Sequence, residues 1–272
     1  MSTSTPVFPY PGSKANLAGA FVGRMPSHES YVEPFAGTLA VLLAKKPAAY
    51  EVVNDRDEEI VNFYRVLRDH PDALYSICDM TPWSRTEFED CRNFRHCHAT
   101  SDPIERAREF WYCRAYSVNG KGESFAAAEG KGQNARTYLE RMHAVAERMK
   151  GVLVENMDFE EMFDKYGGPG TLFYCDPPYL GSTRSSHIYN FEMTSEEDHD
   201  RFARTCNDEQ GKVMISGYPS EVYDEMFPAP KWQYVDFEVF ASTRAVHGGV
   251  KAAVERLWAN FELNEQTRLF VP

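Results

Sequence analysis

The sequence lacks any apolar run long enough to cross a lipid bilayer, and its first residues, MSTSTPVFPY, lack the basic and apolar regions of a secretory signal. Its six cysteines form no CxxC pair and follow no regular spacing. These absences argue against a membrane-spanning protein and against a disulfide framework. They predict a cytoplasmic protein whose cysteines are free thiols.

A metal centre has little support in the sequence. The densest group of metal-ligating residue types is CRNFRHCH (91–98), which contains Cys91, His96, Cys97 and His98. The wide separation of the two cysteines and the adjacent His-Cys-His do not match common zinc spacings. We therefore predict no metal.

Positive charge is scarce. The chain has 29 Lys and Arg against 41 Asp and Glu, which gives a formal net charge of −12. This balance argues against a protein coated with nucleic acid, because phosphate contacts need clustered Lys and Arg. Residues 114–150 differ, since the basic side chains there outnumber the acidic ones. They form the candidate for a local basic face.

Strand and helix patterns alternate in the first part of the chain. Short apolar runs at 30–35 and 49–55 predict buried strands, and helical periodicity follows them at 38–46 and 57–70. A strand–helix–strand–helix unit is typical of a parallel sheet. The length of 272 residues, with 43% hydrophobic and 14% aromatic residues, suits a folded globular chain.

The pattern changes after Pro71. Helices without clear strands between them are predicted at 72–80, 84–98, 103–116 and 135–150. A Gly-rich stretch at 119–134 accompanies them. Strands follow at 152–156, 171–175 and 212–216, and one further helix is predicted at 195–206. The runs at 234–240 and 255–261 predict a closing antiparallel pair. The sequence therefore predicts an α/β core interrupted by a mostly helical insertion at 71–150.

Three predicted strands end in residues that suit ligand binding, because ligands of open α/β sheets bind at the carboxyl ends of the strands. EPFAG (33–37) holds a small-residue turn, and NDRD (54–57) places Asp55 where nucleoside-binding α/β proteins hold ribose hydroxyls. YCDPPYL (174–180) places Asp176 beside two prolines, which remove backbone donors. Two structural alternatives stay open: Asp55 as a helix N-cap, and DPPY as a tight aromatic turn that binds nothing.

These motifs, in this order, make the sequence similar to the Dam-like, D12 class of N6-adenine DNA methyltransferases. The resemblance covers nearly the whole chain and rests on FPYPGSK (8–14), YVEPFAG (31–37), NDRDEEIVNFYRVLRD (54–69), ENMDFEEMF (155–163), YCDPPYL (174–180) and VERLWANF (254–261). It implies an α/β, Rossmann-like class I methyltransferase sheet. Residues 1–70 and 151–272 would form the catalytic domain, and 71–150 a helical domain that recognises the DNA target.

The resemblance also implies S-adenosyl-L-methionine as the cofactor. Asp55 would accept hydrogen bonds from its ribose hydroxyls, Asp158 would accept from its adenine amine, and Glu33 would meet its amino group. The other implied cofactor contacts are Tyr10, Lys14, Phe35, Gly37, Phe159 and Asp176. Ordinary alternatives are a solvated surface lysine at Lys14 and a core aromatic at Phe159.

The DPPY motif would carry the chemistry, through Asp176, Pro177, Pro178 and Tyr179. An adenine amine is a poor nucleophile because its lone pair is delocalised into the ring. The Asp176 carboxylate and the Pro177 carbonyl can accept its two N–H groups and stabilise the positive charge that develops on nitrogen. Tyr179 would stack on the base, which must leave the duplex to enter the pocket.

Double-stranded DNA is the implied partner, and the insertion is its implied contact surface. Arg114, Asn119 and Lys121 would reach base edges, while phosphates would be met by Lys131, Arg136 and Arg141. The alternative for each is a solvated position in or beside a loop. No membrane and no obligate protein partner is implied, and the expected location is the cytoplasm of a bacterium or of a phage-infected host.

Two rival functions remain at this point. The nearer one is the same chemistry on N4 of cytosine or on RNA. The other is a catalytically silent relative that binds DNA and keeps the fold. DPPY favours adenine, and the intact Asp176, Pro177, Pro178 and Tyr179 argue against a silent relative.

Overall fold

A computed structural model describes residues 5–97, 101–179, 193, 195–240 and 252–263. The chain divides into two units, which we call unit 1 (Met1–Val22 and Ala36–Met157) and unit 2 (Gly23–Phe35 and Asp158–Pro272). In chain order the elements are α1 (Ala18–Val22), β1 (Ser30–Glu33), α2 (Ala40–Ala44), β2 (Tyr50–Asn54), α3 (Glu58–Asp69), α4 (Pro71–Met80), α5 (Arg85–Cys97), α6 (Pro103–Ala115), α7 (Lys131–Leu139), α8 (Met142–Met149), β3 (Val152–Glu155), α9 (Phe159–Tyr166), β4 (Thr171–Cys175), α10 (Glu196–Asp208), β5 (Lys212–Gly217), α11 (Glu221–Met226), β6 (Gln233–Phe240) and β7 (Ala252–Ala259).

The strands form a seven-stranded mixed sheet. In unit 1, β2 and β3 pair in parallel, with Val52 opposite Leu153. In unit 2, β1, β4 and β5 are parallel neighbours, and the register places Cys175 opposite Ile215. Strand β7 then pairs antiparallel with both β5 and β6. The structure therefore confirms the predicted α/β class and the closing antiparallel pair.

Helix α3 shows why unit 1 folds as the sequence pattern indicates. Its apolar positions are buried, and the side chain of Asp57 caps its first turn by accepting from the Glu59 N–H at 3.0 Å. On the side of β3, Arg65 and Arg68 of α3 donate to backbone carbonyls of that strand at 3.0 and 3.2 Å. These contacts fix the helix that follows the NDRD turn.

A buried ion cluster ties three elements of unit 1 together. Arg148 of α8 donates to both oxygens of Glu51 on β2, and Lys45, just after α2, donates to the same carboxylate at 2.6 Å. Burial alone would raise the pKa of Glu51, but hydrogen bonds from Arg148 and Lys45 outweigh it and hold that pKa below its ordinary value.

Residues 71–150 are mostly helical, as predicted, and contain α4 to α8. The prediction of one helix at 135–150 is wrong: α7 begins earlier, at Lys131, and the chain turns at Glu140 and Arg141 before α8 begins. Units 1 and 2 do not follow the predicted domain boundaries, because the helices α4 to α8 lie in unit 1 together with β2 and β3. The division into a catalytic domain and a target-recognition domain stays a prediction about function.

Five of the six cysteines can be described, and all five are free and buried thiols: Cys78, Cys91, Cys113, Cys175 and Cys206. For these residues the predicted free thiols are confirmed. The side chains of His96 and Cys97, and all of His98, lie outside the described residues. Among the described residues, no group of three or more His, Cys, Asp or Glu is placed to hold a metal ion. No helix in the described ranges is long and apolar enough to cross a membrane.

Candidate active site

The DPPY motif begins directly where β4 ends. All five residues of β4 are buried, and Asp176 is the first residue beyond the strand, with its side chain half-buried. Pro177 is buried as well, and Tyr179 is 8% exposed. The prediction that the acid lies at the carboxyl end of a buried strand is confirmed. Because neither proline has an N–H, Pro177 and Pro178 offer carbonyl acceptors and no backbone donors.

Side chains from β5 and β7 hold both ends of the motif. The hydroxyl of Ser216 donates to Asp176 Oδ1 at 3.0 Å. The hydroxyl of Tyr179 donates to Glu255 Oε1 at 3.0 Å, and its ring centroid lies 4.5 Å from that of Tyr218. Asp176 and Tyr179 therefore have defined side-chain partners within unit 2.

Asp55 lies at the carboxyl end of β2, and it is not the helix cap. Its Oδ2 accepts from the Gly37 N–H at 3.1 Å, and its Oδ1 accepts from the Asp57 N–H at 2.9 Å. Asp57 fills the N-cap position of α3, so the N-cap alternative for Asp55 is wrong. Asp55 thus joins the small-residue turn of EPFAG to the NDRD turn.

The carboxyl group of Asp55 is electrostatically unusual. Burial, which disfavours the ionised form, raises its pKa from the ordinary value of 3.8 to about 7, and the nearby Asp57 carboxylate adds to this effect. The N–H groups of Asp57 and Gly37 act in the opposite direction but do not outweigh burial. A strand-end carboxyl that titrates near neutral pH is typical of functional sites.

The turn after β1 brings backbone close to this carboxyl. Gly37 has a φ of 46°, which residues other than glycine rarely adopt, and a Cβ added there would meet no atom of the described residues within 4 Å. The Gly37 carbonyl accepts from the Tyr64 hydroxyl at 3.0 Å. The turn is therefore fixed by hydrogen bonds on both its N–H and its carbonyl side.

The N-terminal segment places Tyr10 and Lys14 in unit 1. Lys14 is 6% exposed, and its Nζ donates to the Gly12 carbonyl at 2.9 Å, so the surface-lysine alternative is wrong. The ring of Tyr10 lies under the Arg114 guanidinium, with 4.6 Å between the guanidinium carbon and the ring centroid. Both residues are held in place by their surroundings.

The predicted cofactor contacts of unit 2 comprise two aromatic rings and two acids, apart from Asp176. Phe35 and Phe159 have ring centroids 6.0 Å apart, and both rings contact Phe202. Phe159 is 3% exposed, as its core-aromatic alternative requires. Glu33 is buried and accepts from the Tyr31 hydroxyl at 2.5 Å.

Asp158 has two roles in the fold. It caps α9 by accepting from the Glu160 N–H at 3.1 Å, and its other oxygen accepts from Arg201 at 3.2 Å. The Arg201 guanidinium also lies 4.6 Å from the centroid of the Phe159 ring. Both oxygens of Asp158 therefore have partners that fix the orientation of the carboxylate.

The insertion presents an ordered loop, residues 117–125. Ser117 and Phe125 form an isolated antiparallel bridge, and the Val118 N–H donates to the Ser124 carbonyl at 2.9 Å. Gly120 has a φ of 70°, and a Cβ on it would lie 2.5 Å from the Pro9 carbonyl oxygen, so the loop packs on the N-terminal segment only with glycine there.

The predicted DNA contacts differ in how far their side chains are exposed to solvent. Asn119 is exposed at the tip of the 117–125 loop, with a φ of 54°. Arg114 is 2% exposed, and its guanidinium donates to the carbonyls of Gly120 and Lys121 at 3.2 and 2.8 Å. Lys121 is half-buried. Arg114 thus supports the loop from within, while Asn119 faces solvent.

The remaining predicted phosphate contacts lie on or beside α7. Arg136 is exposed and forms loose ion pairs with Asp79 and Glu140 at 3.5 and 3.4 Å. Lys131 is half-buried, and burial lowers its pKa. Arg141 donates to the Pro6 carbonyl at 3.3 Å. Exposed ion pairs contribute little to stability, so Arg136 can exchange its partners for phosphate at low cost.

Sequence reasoning missed three side chains next to the predicted site: Arg201, Ser216 and Glu255. Arg201 falls in the middle of a helical pattern, and no local signal shows that it reaches Asp158. Ser216 had a usable signal, because it lies at the carboxyl end of the predicted strand 212–216, as Asp176 does for its strand. Glu255 lies in β7 between Val254 and Arg256, and its sequence context is that of an ordinary strand residue.

The comparisons with known proteins identify the family of this chain. The family model of the D12 class N6 adenine-specific DNA methyltransferases matches residues 10–239. That match covers most of the chain, including every predicted site residue. The chain belongs to this family. The predicted enzyme class, an adenine-specific DNA methyltransferase, is thereby confirmed, and DNA is the substrate of the class.

Relatives in this family match along most of their length. A type II methyltransferase, M1.LlaDCHI of Lactococcus lactis subsp. cremoris, is 27% identical, with 91% of this chain and 90% of that protein covered. A DNA adenine methylase of Serratia marcescens is 23% identical, with 78% and 82% covered. A solved SAM-dependent methyltransferase of Agrobacterium tumefaciens aligns with a TM-score of 0.39 at 8% identity, over 90% of this chain and 60% of that one. The structural likeness is weak, and the family assignment depends on the family model alone.

Proposed function

We propose that this D12-class enzyme binds S-adenosyl-L-methionine and transfers a methyl group to N6 of an adenine that is flipped out of duplex DNA into the DPPY corner. The observation that carries the proposal is the position of Asp176. It stands at the carboxyl end of a fully buried strand, beside two prolines without N–H groups. A corner made of acceptors matches a substrate group that has two protons to donate.

Asp176 and Pro177 would act on the target amine together. The carboxylate accepts one N–H and the Pro177 carbonyl accepts the other, which favours the amine geometry whose lone pair points at the methyl group to be transferred. The same acceptors stabilise the positive charge that develops on nitrogen as the new bond forms. Pro178 has no N–H, so the peptide bond between Pro177 and Pro178 offers no hydrogen-bond donor. The ring of Tyr179 stacks on the base.

The cofactor, when bound, supplies an electrophilic methyl group on its sulfonium. The residues present fit its other parts. Asp55 is a strand-end acceptor suited to the ribose hydroxyls, and the positive φ of Gly37 lets backbone approach closely. Glu33 suits the amino group, and Asp158 the adenine amine. The further contacts proposed are Tyr10, Lys14, Phe35, Phe159 and Asp176.

The exposed part of the insertion would contact DNA. Asn119, at the tip of the 117–125 loop, and the neighbouring Lys121 are proposed to reach base edges, with Arg114 holding the loop in shape. Lys131 and Arg136 would meet phosphates, which position the protein on the duplex. On this basis we assign target recognition to residues 71–150. We also propose that the enzyme meets DNA in the cytoplasm.

A single assay separates the proposal from its rivals. Purified enzyme is incubated with S-adenosyl-L-methionine and either unmethylated plasmid DNA or RNA, and the product is digested to nucleosides for mass spectrometry. N6-methyladenine in the DNA supports the proposal. N4-methylcytosine, or methylation of RNA alone, would replace it with the nearer rival. Retained DNA binding without any methylated nucleoside would identify a silent relative.

The salt dependence of DNA binding tests the basic surface of the insertion. Replacing Lys121, Lys131 and Arg136 by alanine is expected to weaken binding at low salt and to flatten the log–log dependence of affinity on salt. The two proposed phosphate contacts in this set, Lys131 and Arg136, should each reduce the slope by about 0.9 when they are lost. Arg141 is left in place because it donates to the Pro6 carbonyl.

The control for this triple variant removes three exposed cations elsewhere: Lys46, Lys165 and Arg204. It changes the net charge by the same amount and should leave the slope as in the wild type. Equal slopes in all three proteins would show that the insertion is not the phosphate-binding surface.

A further inference from the structure

A buried hydrogen-bond chain ends on the proposed catalytic carboxylate. The hydroxyl of Ser216, which has 0% exposure, donates to Asp176 Oδ1 at 3.0 Å, and the Tyr174 hydroxyl lies 2.8 Å from the Ser216 oxygen. A carboxylate oxygen only accepts, so the single proton of Ser216 goes to Asp176. The Tyr174 phenol must then donate to Ser216. Both protons of the chain therefore point toward the carboxylate.

The sheet explains why Asp176 needs such a partner. The ladder of β4 ends at Cys175, so backbone pairing holds the position of Asp176 but leaves the rotation of its side chain undetermined. Cys175 lies opposite Ile215 on β5, which makes Ser216 the neighbour of Asp176 across the sheet. Tyr174, on β4 itself, fixes the Ser216 hydroxyl in turn.

We propose that Ser216 is a positioning residue for methyl transfer, which fixes the rotation of the Asp176 carboxylate toward the target amine and is itself oriented by Tyr174. The inference rests on the proposed function, because it concerns the same acceptor corner. Ser216 does not contact the substrate and acts only through Asp176. A displacement of a reacting group by about 1 Å can cost about 10²-fold in rate, so a single hydroxyl can have a large effect here.

A purely structural role makes a different prediction. If the hydroxyl of Ser216 served only to satisfy the buried phenol of Tyr174, its loss would lower the stability of the fold and reduce every activity in proportion to the folded fraction. A positioning role lowers the rate of the chemical step and leaves binding unchanged. The rate of methyl transfer and the two binding steps must therefore be measured separately.

The test uses the full chain with S-adenosyl-L-methionine and unmethylated plasmid DNA. Ser216→Ala is expected to lower the single-turnover rate of methyl transfer about 10- to 100-fold. KM for DNA and Kd for S-adenosyl-L-methionine should stay within about twofold of wild type, since the Ser216 side chain is proposed to contact neither the DNA nor the cofactor. Tyr174→Phe should cause a smaller loss, about fivefold, because one neutral hydrogen bond of the chain is removed while Ser216 keeps its bond to Asp176.

A matched control deletes a buried hydroxyl at the other end of β4. Thr171 is 5% exposed, and its hydroxyl donates to the Tyr166 carbonyl at 2.9 Å. Thr171→Val should cost stability without changing the single-turnover rate. If Thr171→Val and Ser216→Ala lower the rate equally, the loss reflects general stability and the proposal is overturned.

Other outcomes also decide the question. A wild-type rate in folded Ser216→Ala overturns the proposal, as does a rate loss that disappears when corrected for the folded fraction. Should Ser216→Ala fail to fold, Ser216→Cys keeps the size with a weaker donor, and an intermediate rate supports the proposal while a wild-type rate overturns it. Failure of the proposed function would show differently, as wild-type enzyme that forms no N6-methyladenine.

Discussion

Replacing Asp176 by alanine is expected to lower methyl transfer by at least about 10³-fold, because the target amine loses its charged acceptor. Affinity for S-adenosyl-L-methionine should change by less than about tenfold, or 1.4 kcal/mol, since the main partner of the carboxylate is the amine. Single-turnover kinetics on plasmid DNA measures the first quantity and calorimetry the second.

The exposed Asp164 on α9 provides the control for this variant. Asp164→Ala removes one carboxylate from the same unit without touching the DPPY corner, and both quantities should match the wild type. Near-normal turnover by Asp176→Ala would remove Asp176 from the mechanism. A loss of cofactor affinity as large as the loss of rate would show that Asp176 acts mainly in cofactor binding and not on the target amine.

Replacing Asp55 by alanine is expected to weaken binding of S-adenosyl-L-methionine by about 1–3 kcal/mol, or about 5- to 150-fold, because the ribose hydroxyls lose a charged acceptor. Calorimetry at a pH of about 8, where the carboxyl is mostly ionised, gives the cleanest comparison. Asp57→Ala is the matched control, since Asp57 caps α3 at 6% exposure. It should lower stability by about 1 kcal/mol and leave cofactor affinity nearly unchanged.

The raised pKa of Asp55 also predicts a pH dependence. Burial raises this pKa to about 7, and the ionised form is the better acceptor, so wild-type affinity should rise between about pH 6 and about pH 8. Asp55→Asn should bind more weakly and show no such rise. In stability the sign is opposite: the folded state holds the proton more tightly, so the contribution of this site falls as pH rises from about 4 to about 7. Equal pH profiles in wild type and Asp55→Asn would show that the Asp55 carboxyl does not govern binding.

The elements that sequence reasoning placed well are those defined by local pattern. The run TLFYC is apolar along its length and follows the turn GGPG, and it became β4 with the predicted bounds. The apolar face of 57–70 likewise became α3. In both, the local signal and the burial required by the sheet agree.

Three features that the sequence pattern did not show have a common physical cause, which is dependence on distant partners. A continuous helical period at 135–150 gave no sign of the turn between α7 and α8. The position of Asp55 suited an N-cap, yet Asp57 took that role and Asp55 bound the turn at Gly37. The inward side chain of Arg114 depends on the fold of the 117–125 loop. None of these contacts is encoded in the spacing of nearby residues.

We propose that this chain methylates N6 of adenine in DNA through the Asp176 corner. The most direct measurement compares wild type and Asp176→Ala side by side, with S-adenosyl-L-methionine that carries an isotopic label in its methyl group and with unmethylated plasmid DNA, followed by mass spectrometry of the nucleosides. We expect labelled N6-methyladenine from the wild type and at least about 10³-fold less from the variant. Label in N4-methylcytosine, or equal amounts of N6-methyladenine from both proteins, would contradict the account.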